Sequence, residues 1–404
     1  MQVLHINQSD TWGGAAIASH RLHQGLLNQQ IQSRMLVGKV ITDSPLVQPV
    51  PRNERMERQA GRITEKLGLN YVHLWTTRDI HHHEFYQSAD IINFHNLHTG
   101  YFNYLSIPKL TAHKPAVFTL HDMWSFTGHC SYSYDCDRWA TGCGQCPYLE
   151  TYPAVVRDNT HLEWRLKNWV YSRSDLTIVA PSYWLLEQAK RSMLSQFPIH
   201  HIPYGINTQS YQPLDSAQCR AALGISPTQR VLLFSAESLT EKRKGGDLLQ
   251  ATLQNLPASL KSELLLLTLG NGGEAIAQTL GIDSLSLGYV NSDRLKAMVF
   301  SAADLFIFPT RADNLPLVLQ ESMACGTPAV SFDIGGVADL VRPGVTGYLA
   351  EPENISELGA GIIHLLEDHS LRQQMGENCR AIALAEYSLE LQAKRYIELY
   401  TQLK

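Results

Sequence analysis

Short apolar segments alternate with helix-like segments along this chain, and the alternation runs through the sequence twice. In the first half the apolar segments lie at residues 3–7, 35–40, 89–96, 116–122 and 175–180. After a turn-rich stretch at residues 202–208, they resume at 231–236, 264–269, 285–290, 304–308 and 328–332. Strands that alternate with helices form a parallel sheet with helices on both faces. The sequence therefore predicts an α/β fold with two doubly wound, Rossmann-like domains.

The chain is long enough for this division. Its 404 residues exceed the roughly 250–300 residues that one hydrophobic core usually serves. We expect an N-terminal domain at residues 1–205 and a C-terminal domain at 206–384, with ligands bound in a central cleft at the carboxyl ends of the strands. The last segment, 385–404, predicts a final amphipathic helix, because its apolar residues stand at positions 391, 393, 396, 397, 399, 400 and 403.

Composition and charge exclude several classes of protein. The net charge of −5 gives no general attraction to nucleic acid. No apolar stretch approaches the roughly 18 residues of a membrane span, and residues 1–7 lack the basic and apolar regions of a signal peptide. The first glycine turn, Gly13 and Gly14, lacks the third glycine and the acid of a dinucleotide site. We therefore expect a cytoplasmic protein that is not a dehydrogenase, with peripheral membrane contact left open.

Four of the seven cysteines lie in one loop, residues 128–148: Cys130, Cys136, Cys143 and Cys146. The last pair has the Cys-x-x-Cys spacing of a zinc-binding turn, whereas five residues separate the first pair, which is looser than usual. A disulfide framework is uncommon in the cytoplasm. The loop therefore holds a structural zinc ion, a redox-active or disulfide pair, or free thiols, and its glycines favour a structural role over a catalytic one.

The stretch from Phe306 to Tyr348 carries the clearest chemical pattern. A buried strand is predicted at residues 304–308, a turn follows, and a helix is predicted to begin near Pro316. Asp313 and Glu321 stand on either side of that helix start. Unpaired N–H groups at a helix N-terminus bind anions, and carboxylates accept hydrogen bonds from hydroxyls. A ligand that carries both phosphates and sugar hydroxyls, such as a nucleotide-sugar, fits this arrangement.

These residues resemble the donor-binding segment of the family-4 glycosyltransferases, which have the GT-B fold. That family has two glutamates eight positions apart, and the second opens a run similar to Glu321-Ser-Met-Ala-Cys-Gly-Thr-Pro; Asp313 takes the place of the first. Further segments carry the resemblance, at residues 202–207, 243–246, 287–290, 335–341 and 344–349. The resemblance is specific over residues 200–350 and looser in the N-terminal half. It implies that the final helix, 385–404, crosses back onto the N-terminal domain.

The resemblance also implies roles for charged side chains in binding the donor. Lys244 would bind the diphosphate as a cation. Arg243 is a candidate second cation, because residues 237–238 (Glu-Ser) stand where the family has an arginine. Asp313 would bind hydroxyls of the transferred sugar, and Glu321 would bind those of the ribose. Asp313 is one methylene shorter than the glutamate of the family, so its reach differs.

Other donor contacts implied by the resemblance come from backbone groups. At the helix start they involve Asn314, Leu315, Pro316, Leu317 and Val318. Proline has no N–H and is well tolerated at the first helical position, so the amides of the two residues after it would meet the phosphates. Gly270 would let the backbone approach the nucleotide closely. The base would lie against Tyr289, Val290 and Leu295, where backbone groups read it and side chains do not identify it.

On the N-terminal domain the resemblance implies fewer contacts. Gly13 and Gly14 would approach the donor, and His121 matches a histidine of the family that contacts the transferred sugar. Asp122, beside it, would orient His121 or bind the acceptor. The two histidines of residues 95–98 also follow a strand, and they either face the acceptor or are structural.

By resemblance the protein is a retaining hexosyltransferase that uses a nucleotide-diphosphate sugar, with UDP-glucose as the first expectation, and needs no metal for catalysis. The leaving phosphate helps to deprotonate the acceptor, a glycan or lipid-linked glycan of polysaccharide or cell-envelope biosynthesis.

Residues 52–66, with basic residues at 52, 55, 58, 62 and 66, either dock an anionic acceptor or membrane surface or form a solvated helix face. A nucleotide-sugar epimerase on the same fold and a catalytically silent partner that binds nucleotide-sugar stay open as alternatives.

Overall fold

The chain folds into two compact units. The computed structural model describes residues 1–277 and 280–404. The first unit consists of Met1–Gly205 together with Glu390–Lys404, and the second consists of Ile206–Leu389. Each unit contains one sheet whose neighbouring strands are parallel. This arrangement confirms the predicted α/β class with two doubly wound sheets.

The first unit has one sheet in its described residues. Its strands are β1 Gln2–Ser9, β2 Gln32–Lys39, β3 Val47–Pro49, β4 Ile91–Phe94, β5 Ala116–Thr119, β6 Thr177–Ala180 and β7 Ile199–His201. They are ordered β3-β2-β1-β4-β5-β6-β7. The helices of the unit are α1 Gly14–Asn28, α2 Glu54–Lys66, α3 Glu84–Ser88, α4 Ile107–Thr111, α5 Thr160–Tyr171 and α6 Tyr183–Lys190.

Neighbouring side chains along these strands pack into different cores, as the pleat of a strand requires. Leu4 of β1 and Ile92 of β4 belong to one buried cluster. Val3 and Ile91, which precede them in the chain, belong to a second cluster. Both faces of the sheet are therefore covered, and this double burial is why the strands read as continuous apolar runs in the sequence.

The second unit repeats the plan. Its strands are β8 Arg230–Ser238, β9 Leu264–Asn271, β10 Asp283–Ser286, β11 Leu305–Phe308, β12 Ala329–Phe332 and β13 Gly347–Ala350. Within the described residues, they are ordered β10-β9-β8-β11-β12-β13. The helices are α7 Ser216–Ala222, α8 Gly246–Gln254, α9 Ala258–Lys261, α10 Gly273–Ala277, α11 Asp293–Ala302, α12 Leu317–Ala324, α13 Ile355–Glu367 and α14 His369–Glu386.

The last helix, α15 (Leu389–Leu403), packs almost entirely in the first unit. Tyr396 and Tyr400 are fully buried in the cluster that contains Val3. The hydroxyl of Tyr400 accepts a hydrogen bond from Nδ2 of Asn93 at 2.8 Å. The hydroxyl of Tyr396 lies 2.9 Å from Oγ1 of Thr119. These contacts tie the end of the described chain to β4 and β5.

The sequence analysis did not predict three of the strands, and it placed the bounds of a fourth incorrectly. Strands β3, β7 and β13 each include residues that are only half-buried or are exposed, so none of them appears in the sequence as a continuous apolar run. The segment predicted at 285–290 forms a strand only at β10, because Gly288 has a φ of 63° that extended backbone does not allow. No helix in the described residues has both the length and the apolar character to cross a membrane.

Candidate functional site

The predicted donor-binding segment begins where a buried strand ends. Strand β11 is buried along its whole length, and residues 309–316 carry the chain to α12. The helix begins at Leu317, one residue later than predicted, with Pro316 as its N-cap residue. The carbonyl oxygen of Pro316 accepts hydrogen bonds from the N–H groups of Leu319 and Gln320, at 3.1 and 3.4 Å. The amides of the two residues after Pro316 therefore stand outside the hydrogen bonds of the helix.

The two carboxylates beside this helix start are both buried. Asp313 is 9% exposed and Glu321 is 3% exposed. Asn314 and Leu315, which lie between Asp313 and the helix start, are buried as well, and Glu321 lies within α12 itself. Buried carboxylates require partners, since burying an unpaired charge is costly. The partners of Asp313 show what this position does in the structure.

Asp313 pairs with both cations of the neighbouring loop. Its Oδ2 lies 2.8 Å from Nζ of Lys244 and 3.3 Å from Nη1 of Arg243. Its Oδ1 accepts a hydrogen bond from the backbone N–H of Asn314 at 3.0 Å. The sequence analysis placed these three side chains in one site but did not predict that they pair with one another.

The pairing changes the proton affinity of the carboxylate. Burial alone acts to raise the pKa of Asp313, but the charges of Lys244 and Arg243 outweigh it, so the pKa lies below its ordinary value. Burial lowers the pKa of Lys244, the charge of Arg243 lowers it further, and Asp313 acts against both. The cluster therefore holds two cations around one ionised carboxylate.

The loop that carries the cations is fixed to the donor-binding segment by its backbone. The carbonyl oxygen of Arg243 accepts hydrogen bonds from the N–H of Arg311 at 2.8 Å and from Oγ1 of Thr310 at 3.0 Å. Gly245 has a φ of 74°, and a Cβ at this position would lie 1.8 Å from the carbonyl oxygen of Pro309. Only glycine allows this approach, so the Lys-Gly element serves to bring Lys244 against the loop after β11.

The predicted base-binding residue Tyr289 lies within the electrostatic influence of Glu321. Tyr289 is 47% exposed, and Val290 and Leu295 are half-buried. Burial raises the pKa of Tyr289, and the nearby charges of Glu237 and Glu321 raise it further. The electrostatic effect of Glu321 on Tyr289 places the predicted ribose and base positions in one neighbourhood of the second unit.

Gly270 has a reason to be glycine that involves the protein alone. Its φ is 126°, and an added Cβ would lie 1.7 Å from the carbonyl oxygen of Ala236. The last residues of β9 therefore lie tightly against the end of the neighbouring strand β8. Close approach of a nucleotide to Gly270 stays a prediction, and the backbone contact explains the glycine independently of it.

In the first unit, the glycine turn after β1 opens the first helix. Gly13 is the N-cap residue of α1, with a φ of 87°. An added Cβ at Gly14 would meet no atom within 4 Å, so the backbone there is open to an approaching group. Trp12, just before the turn, is 53% exposed, and Nζ of Lys39 lies 5.0 Å from the centre of its ring.

A row of buried histidines crosses the sheet of the first unit. Nδ1 of His5 lies 2.9 Å from Nε2 of His95, and Nδ1 of His95 lies 3.0 Å from Nε2 of His121. Nδ1 of His121 lies 2.7 Å from the hydroxyl of Tyr204. Both ring nitrogens of His121 thus contact protein groups, and His95 lies inside the row with both of its nitrogens occupied.

The sequence analysis missed two members of this row, His5 and Tyr204. Tyr204 lies in the Ile-Pro-Tyr-Gly turn at residues 202–205, where the resembled family has asparagine. The ring of Tyr204 stacks on the ring of His121, with centroids 5.4 Å apart. The replacement of asparagine by an aromatic residue was the available indication that this turn packs differently.

His98 and Asp122 form a second buried pair at the carboxyl ends of β4 and β5. Nε2 of His98 lies 2.9 Å from Oδ2 of Asp122. The other oxygen of Asp122 accepts a hydrogen bond from the N–H of Trp124 at 2.8 Å. Burial acts to raise the pKa of Asp122, but His98 and these hydrogen bonds bring the pKa below its ordinary value. Asp122 therefore orients His98 rather than His121.

The four loop cysteines are free and partly exposed. The N–H of Gly128 donates to Sγ of Cys143 at 3.2 Å, and Nε2 of His129 lies 3.4 Å from Sγ of Cys146. Burial raises the pKa of Cys130 to about 12 and that of Cys143 to about 11. In the described part of the chain, no three or more His, Cys, Asp or Glu side chains are arranged to hold a metal ion.

The basic segment predicted at residues 52–66 is helical over Glu54–Lys66. Arg52 pairs with the buried Glu57 at 3.0 Å. A cavity of about 500 Å³ lies beside the helix and is lined by Arg52, Glu57, Arg58, Gly61, Arg62, Glu65 and His73. Met56 and Ile63 are exposed on the same helix, at 59% and 65%. The segment thus combines a basic cavity with exposed apolar side chains.

Two family models match the chain, one over each half. The model for Glycosyltransferase Family 4 matches residues 12–210. The model for Glycosyl transferases group 1 matches residues 215–382. The second range contains the donor-binding segment and the loop that carries the cations.

Relatives and solved structures agree with these matches. The chain is 27% identical over 385 residues to WcaC of Escherichia coli (strain K12), a glycosyl transferase named for colanic acid biosynthesis, covering 87% of this chain and 88% of WcaC. The sucrose-phosphate synthase of Thermosynechococcus elongatus superposes with a TM-score of 0.73 at 20% identity, covering 100% of this chain and 99% of the synthase. Anabaena HepE in complex with UDP superposes with a TM-score of 0.69 at 18% identity, covering 100% of both chains.

Proposed function

Because this chain belongs to the family-4 glycosyltransferases of the GT-B fold, we propose that it transfers a hexose from a nucleotide-diphosphate sugar to a glycan or glycolipid acceptor. The observation that carries the proposal is the start of α12. One region of the second unit contains the buried Glu321, the cations of the adjacent loop, and the amides of Leu317 and Val318. These two amides lie outside the hydrogen bonds of the helix. A ligand with a diphosphate and a ribose matches these groups.

The chemistry proposed for this site is stabilisation of a leaving diphosphate. Negative charge develops on the diphosphate as the bond to the sugar breaks, and Lys244, Arg243 and the positive end of α12 would offset it. The second unit's described side chains supply the cations for this step, so the proposed route uses no metal for catalysis. Retention of configuration, with the leaving phosphate assisting deprotonation of the acceptor, is the route that family membership favours.

UDP is the first nucleotide to test, since the chain resembles a protein that was solved with UDP. The proposal places the acceptor in polysaccharide or cell-envelope biosynthesis, as the name of WcaC does for that relative.

The cavity beside α2 and the exposed Met56 and Ile63 support peripheral contact with a lipid-linked acceptor at a membrane surface. A structural zinc ion in the cysteine loop is proposed separately from catalysis.

A thermal-shift panel of UDP, GDP and ADP tests the donor site. One nucleotide should raise the melting temperature by about 5 °C at a hundredfold excess over its Kd. Glu321→Gln should weaken its binding about tenfold or more, because hydrogen bonds to a charged acceptor are lost. Glu377→Gln, an exposed residue of α14 in the same unit, is the matched control. If no nucleotide shifts the melting temperature, or if Glu321→Gln binds as the wild type does, the proposal is wrong.

Turnover separates the proposed transferase from its two alternatives. A transferase releases nucleoside diphosphate from the donor in the presence of an acceptor, and slowly by hydrolysis in its absence. An epimerase converts the nucleotide-sugar alone into a second nucleotide-sugar without release of the diphosphate. A silent partner binds the nucleotide and forms no product, so product analysis with and without an acceptor glycan decides among the three.

A further inference from the structure

The cations at the proposed diphosphate site already have a counter-ion from the protein. Lys244 and Arg243 both contact Oδ2 of Asp313, at 2.8 and 3.3 Å. Arg243 also pairs with Glu241, through Nε at 2.9 Å from Oε1. The side chain of Glu241 is 43% exposed, whereas that of Asp313 is 12% exposed. Solvent screens the first pair, and Asp313 is therefore the dominant negative charge against the two cations.

The geometry of Asp313 suits a counter-ion better than a ligand for sugar hydroxyls. One oxygen is bonded to the N–H of Asn314 and the other to the cations. Both oxygens of the carboxylate are thus bonded to groups of the protein. The backbone oxygen of Asp313 also accepts a hydrogen bond from the N–H of Gly336 at 3.2 Å, so the backbone of the residue is held in place and only its side chain can turn away from the cations.

We propose that Asp313 is a positioning residue that acts as the counter-ion of Lys244 and Arg243 in the empty site, and that the diphosphate of the donor displaces it from the cations. The inference rests on the proposed function, because it takes a nucleotide diphosphate as the incoming anion. Two phosphate groups carry more negative charge than one carboxylate, so the cations gain a stronger partner when the donor binds. The carboxylate released from Lys244 then becomes available to a hydroxyl of the donor sugar.

This role predicts an effect on nucleotides that lack a sugar. A carboxylate that competes with the diphosphate weakens the binding of UDP, so removing its charge should strengthen that binding. A carboxylate that serves only as a ligand of sugar hydroxyls has no contact with UDP, and removing it should leave the affinity for UDP unchanged. The affinity for UDP alone therefore separates the two roles of Asp313.

The experiment is calorimetric titration of the full-length protein with UDP, with inorganic pyrophosphate as a second probe that has no base. Asp313→Asn should bind UDP about tenfold more tightly than the wild type, the order expected for removal of one nearby charge. The gain should shrink at high salt, because screening weakens the competition. Turnover of the nucleotide-sugar should show a lower kcat together with stronger inhibition by UDP, a combination that a damaged fold does not produce.

The matched control is Glu263→Gln. Glu263 pairs with Arg230 at 3.0 Å, just before β9 and therefore at the amino edge of the sheet, away from the donor-binding segment. The variant removes the same charge from the same unit, and its affinity for UDP should equal that of the wild type. If both variants tighten UDP equally, net charge rather than Asp313 is responsible, and the inference is overturned.

A second pair of variants covers the case in which Asp313→Asn does not fold because Lys244 loses its partner. Lys244→Met with Asp313→Asn removes both charges, and it should bind UDP more tightly than Lys244→Met alone. Equal or weaker binding would overturn the inference while leaving the proposed function standing. Binding of no nucleoside diphosphate to wild-type protein would overturn the proposed function and this inference with it.

Discussion

Individual buried histidines set how the first unit responds to acid. Burial lowers the pKa of His121 to about 4; Asp122 opposes this shift and His98 adds to it. Burial also lowers the pKa of His23 to about 4, with a contribution from His20. An unfolded histidine takes up its proton near pH 6.5. Below that pH the unfolded chain binds protons that the folded chain does not accept, so stability falls as the pH falls from about 6.5 towards 4.

Urea unfolding between pH 7.5 and pH 5 checks this expectation. Each of these two histidines should contribute a loss of about 2 kcal/mol at pH 5 relative to pH 7.5. His23→Gln, which can still contact Oγ of Ser33, should remove its share of the pH dependence, while the exposed His113→Gln should keep the wild-type slope. A free energy of unfolding that stays constant across this pH range would contradict the burial of neutral histidines.

In the proposed donor site, the sequence predicted which charged residues come together but not which of them pair with one another. Asp313, Lys244 and Arg243 were predicted to share one site, because the family resemblance places them around one ligand. Their pairing with each other was not predicted, because a sequence motif indicates which groups bind a ligand. It does not indicate which protein groups those residues contact when no ligand is bound. His121 was predicted to contact sugar, and its contacts with His95 and Tyr204 depend on residues far apart in the sequence.

At the scale of elements, buried strands were predictable and edge strands were not. Strands β4, β5 and β6 are buried at every residue, so each appears in the sequence as an apolar run. Edge strand β7 is half-buried at every residue and has no such pattern. The start of α12 was predicted within one residue because proline restricts where a helix begins.

The cysteine loop yields a prediction at this scale. We expect the purified full chain to carry one zinc ion held by the four loop thiols, since thiolates spaced in a tight loop favour zinc. Side chains of the loop would reorient on binding, and the N–H of Gly128 already points at Sγ of Cys143. Metal analysis by mass spectrometry should find zinc in the wild type and a clear loss in Cys143→Ser. Cys219→Ser, at a buried cysteine of α7, should retain the metal.

Thiol titration of the denatured, unreduced protein tests the two alternatives to a zinc site, free cysteines and a disulfide. Seven reactive thiols without bound metal would indicate a loop of free cysteines. Fewer than seven would indicate a disulfide. Either result would contradict the zinc prediction, and neither would touch the donor site in the second unit.

At the scale of the whole molecule, two doubly wound sheets and membership of the glycosyltransferase family were predictable from the sequence, and both are confirmed. The alternation of strands and helices predicts the class, and the segment at residues 306–348 indicates the family. The amphipathic pattern of residues 391–403 predicts a helix but does not say what it covers. Its partners are strands some 300 positions earlier in the chain, such as the one that carries Asn93.

Helix α15 should contribute strongly to the stability of the first unit. Tyr400 is fully buried and bonded to Asn93, so Tyr400→Ala should cost about 3 kcal/mol or more through the cavity and the unpaired amide. The exposed Gln402→Ala, on the same helix, should be nearly neutral. Chemical denaturation of both variants measures the difference, and equal midpoints would contradict the packing of this helix on the first unit.

The return of α15 to the first sheet also affects how the protein is made. The side of that sheet that carries Val3 and Ile91 is completed by Tyr396 and Tyr400, which leave the ribosome only after the entire second unit has been synthesised. During translation this apolar side of the sheet stays exposed to solvent while more than half of the polypeptide is still being added. We therefore expect the first unit to complete its packing only after the second unit has been synthesised.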